Sequence, residues 1–103
     1  MIKIIGGYKE REGAPLQIIV EDKDAVWVLY KDEGTEAVYS DFVPVASLEE
    51  LEIVPNVEID EATKEQVLSV LLKNRNVMEN HIRTYLLNET FDPITEQWTK
   101  PEN

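Results

Sequence analysis

The chain has 103 residues, a net charge of −11, 43% hydrophobic residues and no cysteine. That length accommodates one domain with a real core. The missing cysteines exclude disulfide frameworks, cysteine-based zinc sites and thiol nucleophiles together. The opening MIKIIGGYKEREG lacks a long apolar stretch, and no apolar run approaches the roughly 20 residues that span a bilayer, so a soluble cytoplasmic protein is expected.

In chain order, MIKII reads as a short strand and GGYKEREGAP as a loop marked by paired glycines, a charge run and a proline, or else as a long arm joining two strands. LQIIVED is a strand rich in β-branched residues. In AVWVLYK, Val26, Val28 and Tyr30 face one way and Trp27, Leu29 and Lys31 the other. DEG follows as a three-residue loop, with Gly34 left-handed before a bulge, and TEAVYSDF pairs back on the first arm. Both faces of this hairpin are partly apolar, which predicts strands curled into a small barrel. Pro44 breaks the strand. Ser47 and Glu50 fit a capping box around one helical turn, LEEL, and LEIV is a last strand ended by Pro55.

Asp60 is a good N-cap for a helical run that holds to about Asn88. Leu68, Leu71, Met78, Ile82 and Tyr85 form its stripe, widened by Val67, Leu72, Leu86 and Leu87 and interrupted by Arg75. KNRN has weaker helix formers than its flanks and marks a bend or break. About 28 helical residues would extend roughly 42 Å, longer than a small barrel is wide. Either the helix breaks near Asn74, or its far half packs on another chain. A homodimer or higher oligomer through Met78, Ile82, Tyr85 and Leu86 is the favoured consequence, against a bent helix folded wholly onto its own barrel. The tail TFDPITEQWTKPEN reads as extended.

The expected fold is therefore α+β: a small antiparallel barrel of about five strands over residues 1–57, a helix over 58–90 and a tail over 91–103. The layout LQIIVED, AVWVLYK, TEAVYSDF, SLEEL, LEIV, from Pro15 to Pro55, resembles the small SH3-like barrel proteins of bacteria and bacteriophages. The resemblance implies a fold and a bacterial or phage setting. The aromatic peptide-binding set of signalling SH3 domains is not clear here, so no ligand site is carried over, and fold does not fix function.

Catalytic signals are weak. His81 is the only histidine, and no sequence neighbour supplies a nucleophile or an orienting group, so a surface or interface-edge histidine is expected. Ser40, Ser47 and Ser69 lack a nucleophile-elbow context. EDKD and KDEG are fragments of a calcium loop without the full pattern, and IIGGYKEREG matches no phosphate-binding motif. Lys64, Lys73, Arg75 and Arg83 are spread among acids rather than clustered for nucleic acid. No enzyme activity, cofactor, metal or direct nucleic-acid binding is expected.

The charge distribution carries more weight. Residues 21–60 hold twelve acids and two lysines, nearly the whole imbalance. The bland explanation is solubility. The sharper one is an ordered carboxylate array that mimics DNA and occupies the basic groove of a nucleic-acid-binding protein, with Asp22, Asp24, Asp32, Glu33, Glu36, Asp41, Glu49, Glu50 and Glu52 as its contacts. The alternative is an assembly role, such as a phage or prophage particle subunit, in which helix and tail make the contacts and the acids only keep the free subunit soluble.

Overall fold

The computed structural model describes residues 2–22 and 25–101. Four strands, β1 (Ile2–Tyr8), β2 (Leu16–Asp22), β3 (Ala25–Lys31) and β4 (Val38–Tyr39), form an antiparallel sheet in the order β1-β2-β3-β4. β2 and β3 pair in unbroken register from Leu16–Lys31 to Asp22–Ala25. A register shift between Ile4 and Gly6 kinks β1 against β2. The sheet is open, not the closed barrel expected. LEIV is not a strand; the chain returns to β1 through a bridge between Gly7 and Val57, with Asn56 bonded to Gly7 and Lys9, and a second bridge joins Val26 to Val45. Pro44 and Pro55 remove ladder donors on either side of this stretch, which limits pairing to single bridges.

The paired glycines lie inside β1 rather than in a loop. Gly7 exchanges hydrogen bonds with Val57, and a Cβ on it would collide with Ile59 and Leu16. Glycine here admits close approach of a neighbouring segment and does not mark a turn. In the β3–β4 connection Gly34 takes the positive φ expected, but the loop itself differs. Thr35 N–H donates to the Asp32 carbonyl at 3.2 Å, and Gly34 has φ +80° at the third position, which makes a type II turn rather than a bulged loop. Six residues, 32–37, then separate the strands.

The helical run starts as expected. Asp60 accepts from Thr63 N–H at 2.7 Å and caps α1 (Glu61–Lys73). It then breaks at Asn74 before α2 (Arg75–His81), which passes into a π-helical turn, Ile82–Leu86. Asn74 stabilises the break, since its side chain donates to the Val70 carbonyl at 2.7 Å and competes with helical backbone bonding. The helical residues of the core are Val67, Leu71 and Met78, with Val70, Ile82 and Leu86 packed against it. The steps from Val67 to Leu71 and from Met78 through Ile82 to Leu86 are of four residues, each drifting about 40° around an axis of 3.6 residues per turn, while the step from Leu71 to Met78 spans the break. The break and the wider π turn absorb that drift and keep the stripe on the sheet.

Met78 is thus buried in its own core, with Ile82 and Leu86 packed against that core, and only Tyr85 of the expected dimer stripe is exposed, at 52%. The apolar surface expected to seek a second chain is mostly covered by the same chain. The core unites Ile18 and Val20 of β2 with Ala25, Trp27 and Leu29 of β3, together with Phe42, Ile59 and the helix residues. Trp27 meets the Phe42 ring edge-on, with centroids 6.3 Å apart. On the other sheet face Ile19 and Val26 are also buried, so both faces of the central strands are indeed apolar.

The tail is not merely extended. β5 (Thr90–Asp92) and β6 (Gln97–Thr99) form a second, separate hairpin. Pro93 opens the connection, Asp92 accepts from Ile94 N–H at 2.9 Å, and Glu96 adopts the left-handed conformation. Phe91 and Trp98 pair across the strands, and the Arg83 guanidinium lies 5.4 Å from the Trp98 ring centroid.

Candidate interaction surface

The nine predicted contact acids separate into three fates. Asp22 is 4% exposed and forms an ion pair with Arg75 Nη1, so it belongs to the interior and is no part of a face. That pairing explains why Arg75 interrupts the apolar stripe: a buried carboxylate needs a cation. Asp24 lies outside the described residues. Asp32, Glu33, Glu36, Asp41, Glu49, Glu50 and Glu52 are all exposed, and among the described residues none of the seven takes part in a salt bridge.

Those seven do not form one belt. Asp32, Glu33 and Glu36 follow the Lys31 end of β3. The 3-10 helix Leu48–Leu51 begins just after Val45, which pairs with Val26 near the opposite end of that strand. Five residue steps separate Val26 from Lys31, about 17 Å along the strand. The 3-10 helix is only partly the capping box expected: the Ser47 side chain makes no cap bond, while Glu50 reaches back to Ala46 N–H at 3.3 Å.

Asp32 of the first acidic group borders an aromatic pair to which the sequence alone assigns no role. Tyr30 and Tyr39 lie opposite each other on β3 and β4, with rings stacked at 5.7 Å and 25°. Trp27 and Leu29 belong to the core on the helix side, so by alternation Tyr30 and its partner sit on the opposite face. The Tyr39 hydroxyl donates to Asp32 Oδ1 at 3.2 Å. Desolvation and the nearby Asp41 charge push the Tyr30 phenol up; desolvation and the Asp32 carboxylate do the same for Tyr39. The signal was present: Tyr30 and Tyr39 flank a turn containing Asp32, with Asp41 two residues beyond. Only strand register reveals that the rings meet.

His81 has a structural post. Its Nδ1 meets the Phe42 carbonyl, and its ring lies edge-on to Tyr85. Phe42 itself has φ +55° and is held by the Ser40 hydroxyl, which accepts from Phe42 N–H and donates to the Val28 carbonyl. His81 thereby ties the helices to the irregular segment after β4. Among the described residues there is no group of three or more potential metal-ligating side chains and no helix long and apolar enough to cross a membrane. Comparison with known proteins finds no match among family models, curated proteins or solved structures.

Proposed function

We propose that this chain is a non-enzymatic interaction protein, an inhibitor or regulator that binds a basic, nucleic-acid-binding protein through its exposed carboxylates in the manner of a DNA mimic. The observation that supports it most is the set of seven exposed acids at positions 32–52 without a salt-bridge partner among the described residues. Several are held by backbone geometry: the type II turn fixes Asp32 and Glu33, and the 3-10 helix carries Glu49 and Glu50. Fixed charges lose less conformational entropy on binding than a disordered acidic tail, and they steer a basic partner from a distance. The SH3-like reading of the strand order belongs to the same proposal, as a scaffold for these turns.

The triple variant Asp32→Lys, Glu33→Lys, Glu36→Lys tests the reading. It is expected to abolish capture of a basic partner from bacterial lysate while leaving the unfolding midpoint within about 4 °C, because surface substitutions cost little. Unchanged capture overturns the proposal. A second reading, assembly through the C-terminal end, is favoured by a different observation: Tyr85, Leu87, Phe91 and Ile94 are 44–91% exposed near the hairpin. It predicts self-association that survives high salt and tolerates the triple variant.

A further inference from the structure

We infer that the stacked Tyr30–Tyr39 pair, with Asp32 and Asp41 beside it, is the anchor that receives an arginine side chain of the basic partner. This inference rests on the acidic-surface reading above and names the residues that would give it specificity.

Tyr39 is 49% exposed although its ring stacks on Tyr30. Stacking on Tyr30 holds the ring in place, so a ligand meets a rigid plane. An aromatic face carries negative quadrupole charge and attracts cations, and carboxylates at its edge strengthen the attraction. Asp32 is oriented by the Tyr39 hydroxyl through Oδ1, which leaves Oδ2 for a second donor. Asp41 is close enough to raise the Tyr30 phenol, while its Oδ1 lies 3.4 Å from Val43 N–H. The site therefore offers an exposed aromatic ring with the Asp32 carboxylate on its hydroxyl, and a second carboxylate, Asp41, near its stacking partner. A guanidinium matches it, because it stacks flat on an aromatic ring and donates in a planar fork to a carboxylate. An ammonium can satisfy the charge but not the plane. The second acidic group is Glu49 and Glu50 on the 3-10 helix and Glu52 at its C-cap; that helix begins beyond the opposite end of β3 and contains no aromatic residue. It serves as an internal control.

Titrating the isotope-labelled full chain with hexa-arginine and hexa-lysine peptides at low salt, followed by NMR, tests the anchor. Hexa-arginine is expected to bind more tightly, with the largest shifts at the Tyr30 and Tyr39 ring protons. Tyr39→Ala is expected to weaken hexa-arginine binding roughly two- to fivefold. Tyr39→Phe, which keeps the ring, should stay within about twofold of the parent. The double variant Glu49→Gln, Glu50→Gln should leave the ring shifts in place. Binding of hexa-arginine with equal affinity by the parent and Tyr39→Ala overturns the anchor while sparing the acidic-surface reading. Binding of neither peptide at low salt overturns both.

Discussion

The two tryptophans of this chain are held in opposite ways. Trp27 is 1% exposed, on a seven-residue strand inside a four-stranded sheet, with Phe42 against its edge and helix residues packed into the same core. Trp98 is half-buried on a three-residue strand of a lone hairpin, beneath one arginine and beside one phenylalanine. Two-stranded hairpins are marginal alone, so the C-terminal hairpin depends on these few contacts with the end of the helical run, whereas the sheet carries its own core. Burial, not residue type, decides how much of the molecule each tryptophan supports.

The largest expected effect follows from emptying the core. Trp27→Ala is expected to cost about 3–5 kcal/mol by urea unfolding, since the surrounding sheet and helices close the cavity only in part. Arg75→Ala comes next, at about 2 kcal/mol. It strips a cation from buried Asp22, but Arg75 is itself 40% exposed and Asp22 has interactions besides this pair. A double-mutant cycle with Asp22→Asn measures that coupling. Trp98→Ala is expected to cost about 1 kcal/mol or less, the scale of one aromatic pair plus one exposed cation–π contact. Its signature is local: hydrogen-exchange protection falls at Thr90–Thr99 while β2 and β3 keep theirs. Equal losses in both regions would show that the hairpin unfolds with the sheet, and that the two regions are one cooperative unit.

A smaller effect depends on pH in both regions. Asp60 and Asp92 both sit below the usual carboxylate range, each held down chiefly by backbone N–H donors, of Thr63 and Ile94 respectively. A depressed folded pKa favours the native state at pH values above the unfolded pKa of about 4, and that contribution fades as pH falls through the folded value. Asp60 caps α1 of the main body and Asp92 the turn of the hairpin. NMR titration below pH 4 should therefore melt the hairpin turn and fray the start of α1, each abolished by the corresponding Asp→Asn substitution. At the alkaline end the sign reverses. Tyr30 and Tyr39 are raised, so their contribution is present below about pH 10 and declines as pH climbs through the folded values. Asp32→Asn should lessen that decline.

Much was legible along the chain because the causes are local. β-branched residues alternating in LQIIVED and AVWVLYK made strands, Asp60 capped α1, and the weak helix formers around Asn74 marked its break. Local signals failed where distant segments intervene. Gly6 and Gly7 read as a loop, yet the approach of residues 55–59 explains them within a strand. The tail read as extended because three-residue strands leave too little alternation to detect, while Pro93, Asp92 and Glu96 only shape a turn once both arms exist. The acids looked like one belt because the chain is one-dimensional. The sheet buries Asp22, and the course of the chain carries Glu49, Glu50 and Glu52 past the far end of β3 from Asp32.

By itself the sequence determined an acidic chain without cysteine, its central strand pair, and a helix capped by Asp60; the break at Asn74 was one of two readings it left open. Composition, alternation and capping act within a few residues, and no folding is needed to read them. Only the tertiary structure decided that the sheet stays open, that Met78, Ile82 and Leu86 cover their own core, and that Tyr30 and Tyr39 stack beside Asp32. Each depends on register or packing between residues far apart in the chain, where one residue of slip along a strand exchanges the buried face for the exposed one.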